Sequence, residues 1–192
     1  MTLYILSGKY KGFKLVTPKR RETRPATSLL RGMVFDSCQE LIDGARVLDL
    51  FSGSGAMGIE ALSRGAAFVT FNDLSEECVK ASRANLKIIG KENEGEVFRI
   101  DAFSLLDRLK QEPYDLILLH PPYPIGLSGY TRLIEQLGQK KHLYSPSTHL
   151  FLEIPGQLEK SLTLLIEKHF NIIKCKSRST WALFHLTPLG NL

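Results

Sequence analysis

Short apolar runs of strand length alternate with segments of helical periodicity along most of the chain. The predicted strands of this part are Arg46–Leu50, Phe68–Asn72, Glu96–Ile100, Asp115–Leu119, His149–Ile154, Phe170–Lys174 and Thr180–Leu186. The predicted helices cover residues 57–64, 75–89, 102–110, 129–139 and 157–168. Because strands and helices alternate, the first five strands are expected to form a parallel, doubly wound α/β sheet.

The last two strands depart from this alternation. Only Cys175–Ser179 separates them, which is too short for the helical crossover that a parallel pair needs. They must therefore pair as an antiparallel hairpin. The pattern predicts a seven-stranded, mostly parallel sheet with an antiparallel last strand, whereas plain dinucleotide-binding folds usually end on a parallel strand.

An additional hairpin is predicted at the N-terminus. The strand-like runs Leu3–Leu6 and Lys11–Val16 flank the turn-forming Ser7-Gly8. Thr27 or Ser28 can then cap a helix that runs to about Ile42. The apolar positions that recur at helical spacing in it are Leu30, Val34, Cys38 and Leu41.

Length and composition favour one cytoplasmic domain. The chain has 192 residues, 43% of them hydrophobic, and contains no repeat or low-complexity linker. We expect a single domain over residues 1–192 with a basic arm at residues 1–27. No apolar run reaches the roughly 20 residues that span a bilayer, and Met1–Leu6 is too short for a signal peptide. The three cysteines form no CxxC pair, so no metal site is predicted.

The positive charge is concentrated at the start of the chain. Residues 1–31 carry eight lysines and arginines against the single acid Glu22, a charge of +7, whereas the whole chain carries +5. The remaining 161 residues therefore sum to −2. A basic arm on a nearly neutral body is typical of polyanion binders, because each cation that meets a phosphate releases counterions. Nucleic acid is the expected partner, although a solvated arm without a partner would have the same composition.

A glycine-rich turn follows the first strand of the sheet. Val47–Phe51 leads into Gly53-Ser54-Gly55-Ala56-Met57-Gly58, which matches GxGxxG between a strand and a helix. The glycines of such a turn permit tight bending and let a ligand approach the backbone. This pattern alone fits NAD, FAD or S-adenosylmethionine, and also a buried structural turn.

Three aspartates at strand ends narrow the choice of ligand. Asp73 falls 20 residues after Gly53, where a carboxylate can accept both hydroxyl protons of a ribose, although it can also cap the next helix. Asp49 favours S-adenosylmethionine, because a carboxylate there can face an ammonium group and would repel a pyrophosphate. Asp101 can accept from an adenine amine or lie in a plain surface turn.

A rigid corner, His120-Pro121-Pro122-Tyr123, follows the fourth strand. Two prolines cannot continue a central strand, so the chain turns at the carboxyl edge, where open α/β sheets bind ligands. The corner resembles the (Asp/Asn/Ser)-Pro-Pro-(Tyr/Phe) motif of methyltransferases that act on planar nitrogens. In that chemistry the side chain before the prolines and the Pro121 carbonyl hold the amine hydrogens, while Tyr123 stacks on the base. A structural turn with a core tyrosine is the alternative.

The chain resembles, nearly end to end, the small bacterial 16S rRNA guanine-N2 methyltransferases of the RsmD family. The matching segments are Ser7–Gly12, Thr23–Thr27 with Arg31 and Phe35, Asp49–Ala66 (DLFSGSGAMGIEALSRGA), Asp73, Asn85-Leu86, Asp101-Ala102 and Pro121-Pro122-Tyr123. The resemblance implies a Rossmann-like class I S-adenosylmethionine-dependent methyltransferase fold and a monomer. It implies methylation of the exocyclic N2 amine of a guanine, of the guanine-966 type, in 16S rRNA within the small ribosomal subunit or an assembly intermediate.

Three sets of site residues are expected. The cofactor-binding residues are Asp49, Phe51, Ser52, Gly53, Gly55, Asp73, Asp101 and Ala102. The catalytic residues are His120, Pro121, Pro122 and Tyr123. The RNA-binding residues are Lys9, Lys11, Lys14, Arg24 and Arg31.

His120 departs from the family pattern, which usually has aspartate before the prolines. Neutral imidazole can accept one hydrogen bond, whereas imidazolium cannot and would oppose a cationic cofactor. Methylation is therefore expected to fall as the pH drops through the histidine range. The substitution His120→Asp is expected to reduce this dependence on pH. A catalytically weakened RNA- or cofactor-binding homologue stays open for the same reason. DNA adenine-N6 or protein-amide methylation shares the motif, whereas NAD-dependent redox chemistry gives Pro-Pro-Tyr no role.

Overall fold

The computed structural model describes residues 2–18, 28–109 and 112–190. These residues belong to two compact units, a first unit of residues 1–102 and a second unit of residues 103–192. The segment Thr23–Thr27 of the expected basic arm, with Arg24 and the alternative helix cap Thr27, lies outside the described residues.

The first unit combines a small hairpin with three parallel strands of the main sheet. Its described strands and helices are β1 (Leu3–Tyr4), β2 (Lys14–Leu15), α1 (Ser28–Ser37), β3 (Arg46–Asp49), α2 (Ala56–Ser63), β4 (Phe68–Asn72), α3 (Glu76–Ile88) and β5 (Gly95–Phe98). The hairpin strands β1 and β2 are antiparallel. The sheet strands follow the order β5-β4-β3, and each neighbouring pair is parallel.

The second unit contains the other four strands of the main sheet. Its described strands and helices are α4 (Ala102–Arg108), β6 (Tyr114–Leu119), α5 (Gly126–Gln139), β7 (Tyr144–Ile154), α6 (Glu159–Glu167), β8 (Phe170–Arg178) and β9 (Trp181–Pro188). Strands β6 and β7 are parallel, and β9 is antiparallel to both β7 and β8. The described main sheet therefore has seven mostly parallel strands and an antiparallel last strand, which confirms the predicted architecture.

The core of the first unit depends on a close approach of α2 to β4. Every residue of α2 is buried, since its small and apolar side chains give the helix no fully polar face. At Gly58 a Cβ would lie 2.2 Å from Phe71 Cε1, so no other residue fits without displacing the ring. This glycine therefore lets the helix pack directly on the strand, as the GxGxxG pattern predicts.

The core of the second unit is formed by β6 and one face of α5. Leu116–Leu119 are buried in β6, as a strand covered on both faces requires. In α5 the buried positions recur at helical spacing and are Tyr130, Leu133, Ile134 and Leu137. Burial of this apolar face, rather than intrinsic propensity, stabilises a helix that contains three glycines (Gly126, Gly129 and Gly138).

Helix α1 and both strands of the N-terminal hairpin are shorter than expected. Helix α1 ends at Ser37 instead of continuing to about Ile42, because Cys38 leaves the helical region with φ −131° and ψ 24°. A 3-10 turn, Gln39–Leu41, follows it. The hairpin strands are reduced to two residues each, and a long connection between them takes the place of the expected turn at Ser7-Gly8.

The buried carboxylate of Glu60 attaches the hairpin to α2. Its oxygens accept hydrogen bonds from the backbone N–H groups of Leu6 (2.8 Å) and Ser7 (2.9 Å). Arg64 Nε donates to the same carboxylate at 2.9 Å, and Arg31 Nη1 lies 3.6 Å from Oε2. The side chain of Glu60 is fully buried, so these three hydrogen bonds and the Arg31 ion pair replace the water that a carboxylate would otherwise require.

A second attachment connects the end of the hairpin with the glycine-rich turn. Asn85 is fully buried on α3, and its Oδ1 accepts from the Val16 N–H at 2.7 Å. Its Nδ2 donates to the Val16 carbonyl at 2.9 Å and to the Ser54 carbonyl at 2.8 Å. One amide side chain thus holds both the hairpin and the turn.

We expect Glu60→Gln to lower the free energy of unfolding by about 3 kcal/mol, because it leaves the buried Arg31 and the partly exposed Arg64 without their counter-charge. Urea unfolding followed by circular dichroism would measure this. Glu96→Gln on β5 makes the same chemical change at an exposed position and should have little effect. Equal unfolding midpoints for wild type and Glu60→Gln would contradict a stabilising role of this carboxylate.

Candidate functional site

The glycine-rich turn between β3 and α2 has the conformation that its glycines permit. Gly53 and Gly55 have φ values of 54° and 77°, in the left-handed region that favours glycine. The Gly55 N–H donates to the Ser52 carbonyl at 2.7 Å and closes the turn. No described atom lies within 4 Å of the position that a Gly53 Cβ would occupy. A ligand can therefore approach the backbone at Gly53.

Asp73 contacts both the glycine-rich turn and the start of α3. Its Oδ2 accepts from the Gly53 N–H at 2.9 Å, so the carboxylate reaches the glycine-rich turn. Its Oδ1 accepts from the Ser75 N–H at 2.8 Å, which helps to start α3. Nearby, the Ser52 hydroxyl oxygen is buried and has no hydrogen-bond partner among the described residues. This part of the turn therefore offers a hydroxyl and a carboxylate to a polar ligand.

Asp49 is a buried acid at the end of β3. Its side chain is only 1% exposed, and Oδ2 accepts from the Gly58 N–H at 3.1 Å. Burial raises the pKa of Asp49 to about 7, against the opposing effect of the Gly58 hydrogen bond, and the Asp73 charge adds to the rise. The ionised form is therefore costly in the folded protein unless a positive charge lies beside it.

The remaining expected cofactor residues differ in exposure. Asp101 is exposed and directly precedes α4, whose first residue Ala102 is buried. Phe51 is partly exposed beside the glycine-rich turn. The Ile100 N–H donates to the Asn72 Oδ1 at 3.3 Å, which connects the segment before Asp101 with the end of β4. Carboxylates thus follow or end the three neighbouring strands β3, β4 and β5.

His120 in the corner after β6 has an unusual environment. Both ring nitrogens are buried, and neither has a hydrogen-bond partner among the described residues. Burial lowers the pKa of His120 to about 4. Burial therefore favours the neutral imidazole through the ordinary histidine range, and titration of His120 is no longer expected to cause a loss of methylation in that range. At neutral pH one ring nitrogen carries a free lone pair.

Tyr130 and Glu153 each form a hydrogen bond with a residue of the corner. Tyr130 is fully buried on α5 and donates from its hydroxyl to the Pro121 carbonyl at 3.4 Å. Tyr123 donates from its hydroxyl to Glu153 Oε1 at 2.9 Å. Pro122 has φ −64° and ψ 136°, an extended conformation that directs the chain away from the strand. The partly exposed ring of Tyr123 is thus anchored by its hydroxyl.

The expected RNA-binding residues divide into accessible and buried ones. Lys9, Lys11 and Lys14 are exposed on the hairpin. Arg31 is fully buried beside Glu60, so the expectation that it meets RNA is not supported. Its charge compensates a buried carboxylate, a role that the sequence pattern does not distinguish from a surface cation. Arg24 lies outside the described residues.

Several residues that shape the site received no role from the sequence. An acid at Glu60, inside the otherwise uncharged helix AMGIEALS, was a usable signal of a buried charge pair. Asn85, Tyr130 and Glu153 gave no such signal. The partners of Asn85 and Glu153 are distant in sequence: Val16 and Asn85 are 69 positions apart, and Tyr123 and Glu153 are 30 positions apart. Only the folded chain brings these pairs together.

Membrane-spanning helices and clusters of metal-binding side chains were both sought in the described part of the chain. None of its helices is long and apolar enough to cross a membrane. Within residues 2–18, 28–109 and 112–190, no group of three or more histidines, cysteines and acids is arranged to hold a metal ion.

We expect Asp49→Asn to change stability in a pH-dependent way. The folded pKa of about 7 lies above the ordinary value of 3.8, so the contribution of Asp49 is fully present below about pH 4 and lost as pH rises through 7. Between pH 4 and pH 8 the variant should therefore gain up to about 4 kcal/mol relative to wild type. Urea unfolding across this range, with the exposed Asp36→Asn as control, measures the difference. A difference that stays constant with pH would contradict the raised pKa.

Comparison with known proteins supports a methyltransferase fold. A solved structure from Escherichia coli, described as the methyltransferase yhhF, is 26% identical, has a TM-score of 0.83 and covers 98% of both chains. The structural neighbours are class I methyltransferases, which confirms the predicted fold class. A methyltransferase fold of this class implies a methyl donor as cofactor.

Sequence comparison identifies the family. A family model named Conserved hypothetical protein 95 matches residues 3–180. Ribosomal RNA small subunit methyltransferase D of Buchnera aphidicola subsp. Acyrthosiphon pisum is 32% identical over 91% of this chain and 87% of that protein. Its counterpart of the same name in Escherichia coli strain K12 is 34% identical over 70% of this chain and 67% of that protein. The chain therefore belongs to the RsmD family, that of the ribosomal RNA small subunit methyltransferases D.

Proposed function

We propose that this protein transfers a methyl group from S-adenosylmethionine to the exocyclic N2 amine of a guanine in 16S rRNA. The observation that carries the proposal is His120, whose two ring nitrogens are buried and have no hydrogen-bond partner among the described residues, and whose pKa is lowered to about 4. The family's usual aspartate is replaced here, and an imidazolium would have repelled a cationic cofactor. A neutral imidazole does not, and it can still accept a hydrogen bond from an amine.

The first unit contains the groups that S-adenosylmethionine requires. Asp73 is available to ribose hydroxyls, with Ser52 Oγ as a further unpartnered polar group, and Gly53 allows close approach. Asp49 gains a favourable counter-charge from a cationic ligand, and Asp101 with Ala102 is assigned to the adenine. When bound, the cofactor supplies an electrophilic methyl group on a sulfonium. The assignments of Phe51 and Gly55 to the same site follow the family pattern.

The second unit supplies the groups that hold the amine. An amine conjugated to a base is a poor nucleophile, and two acceptors that bind its hydrogens direct its lone pair outward. His120 provides one acceptor and the Pro121 carbonyl the other. That carbonyl already accepts a long bond from Tyr130, but a carbonyl oxygen has two lone pairs. Burial raises the pKa of Tyr130, so its hydroxyl stays protonated and keeps the Pro121 carbonyl oriented.

The substrate is rRNA in the small ribosomal subunit or an assembly intermediate. The names of the relatives and the exposed Lys9, Lys11 and Lys14 support this choice. The target base has to leave its stack to reach the corner, where Tyr123 stacks on it. We assign residues 1–192 to one cytoplasmic, monomeric methyltransferase domain, with residues 1–27 as its basic arm.

Mass spectrometry of small-subunit rRNA, from cells with and without the gene, tests this proposal. We expect one N2-methylguanine to be lost with the gene and restored by a plasmid copy. The purified protein with labelled cofactor should label rRNA or small subunits rather than DNA or protein. Label in DNA adenine or in protein amides alone would replace the proposed substrate, whereas cofactor binding without any label would indicate a weakened homologue.

Substitutions of His120 test its role as acceptor. We expect His120→Ala to reduce kcat by about 100-fold, because one of two groups that polarise the amine is lost. His120→Asp restores an acceptor of the family type and should retain at least about one tenth of wild-type kcat. Both variants should bind S-adenosylhomocysteine as wild type does. Full activity of His120→Ala would exclude a catalytic role for the imidazole.

A further inference from the structure

The edge strand β8 carries a row of exposed cations far from the basic arm in sequence. Lys174, Lys176 and Arg178 are all exposed, and we call them the β8 stripe. Alternate residues of a strand share one face and lie ~6.6 Å apart. Residues 170–188 contain no aspartate or glutamate. Among the ion pairs of the described residues, none involves the stripe.

The register of the sheet shows which face the stripe occupies. Opposed residues of antiparallel strands point to the same face. The β9 residues opposite Lys174, Lys176 and Arg178 are His185, Leu183 and Trp181. After burial and the neighbouring His149, the charge of Lys174 further lowers the pKa of His185, to about 4. This electrostatic contact agrees with the register.

Glu153, the partner of Tyr123, belongs to the same face. Glu153 of β7 lies opposite Leu183, which in turn lies opposite Lys176. Because neighbouring strands are ~4.8 Å apart, Lys176 lies ~10 Å from Glu153 across the sheet. The Tyr123 hydroxyl is hydrogen-bonded to Glu153. The stripe and the corner residue are therefore within the span of a few nucleotides.

The hairpin of β8 and β9 also reaches the carboxyl edge of the parallel strands, where the corner lies. Strand β7 ends at Ile154, and Gly156 just beyond it packs on the hairpin. A Cβ on Gly156 would lie 2.4 Å from the Arg178 carbonyl oxygen. Arg178 therefore lies at the carboxyl edge, and the stripe runs along β8 toward the edge where β6 leads into the corner.

The charge pattern fits a polyanion better than it fits simple protection of an edge. Lysines on edge strands discourage pairing with other strands, and that role needs no ligand. The stripe, however, has no acids interspersed in its hairpin and leads toward Tyr123. A row of cations on alternate strand positions can meet successive phosphates of a single nucleic-acid strand.

We propose that the β8 stripe is a second RNA-contacting surface, which binds phosphates of the nucleotides that flank the target base. This inference rests on the proposed rRNA methyltransferase function. It assigns RNA contacts to the second unit, in addition to those expected from the basic arm.

Charge removal at the stripe tests the inference. The triple variant Lys174→Gln, Lys176→Gln and Arg178→Gln is compared with the matched variant Lys141→Gln, Lys160→Gln and Lys168→Gln, whose lysines are also exposed in the second unit. Fluorescence anisotropy with a labelled 16S rRNA transcript at several salt concentrations gives affinity and salt dependence. We expect the stripe variant to bind about tenfold more weakly and its log–log salt slope to fall by about 2. Its binding of S-adenosylhomocysteine and its thermal unfolding should not change.

The two proposals fail in different ways in this experiment. If wild type binds the transcript but the stripe variant binds equally well, or the matched variant weakens as much, the stripe is not an RNA surface. If wild type neither binds nor methylates the transcript or small subunits, the proposed function fails, and the stripe inference fails with it.

Discussion

The buried carboxylate of Glu60 is the interaction on which the first unit most depends. It is held inside a helix that is otherwise small and apolar, and its charge is balanced by Arg31 and Arg64. The same oxygens accept the backbone N–H groups of Leu6 and Ser7, which would otherwise be without partners. Since α2 starts directly after the glycine-rich turn, this one carboxylate connects the hairpin with the helix that follows the turn. A buried charge thus helps to position the exposed lysines of the hairpin.

Burial of the ionisable atoms shifts the pKa values of two expected site residues, Asp49 and His120, in opposite directions. It raises that of Asp49 to about 7 and lowers that of His120 to about 4. In each case the neutral form is favoured, because a low-dielectric site penalises charge of either sign. Under the proposed function, a neutral His120 removes the conflict between a histidine and a cationic methyl donor. The replacement of aspartate would then change the strength of the proposed acceptor without introducing a positive charge.

Local sequence patterns predict most of the strands and helices. The features that they do not predict depend on tertiary contacts. The strands of the main sheet and the antiparallel ending follow from apolar runs and connection lengths, which are local properties. The end of α1 at Ser37 depends on how Cys38 is placed, and apolar periodicity continues past it. Arg31 shows the same limit for the site, because a cation in a basic segment gives no sign that it is buried against Glu60. The positions of Asp49, Asp73 and Tyr123 could be predicted, but the partners that orient them, Gly58, Ser75 and Glu153, could be named only from the folded chain.

Asp49 illustrates how a residue suited to binding a cation can lower the stability of the protein when no cation is bound. The hydrogen bond from the Gly58 N–H lowers the pKa of Asp49 less than burial raises it, so the pKa stays well above the ordinary value, at about 7. A cation bound beside Asp49 favours the ionised form and releases the proton, so binding compensates part of the cost of burial. A neutral residue at this position would make the empty turn more stable and would remove that source of affinity. Under the proposed function, this acid is explained by a cationic ligand and not by the stability of the fold.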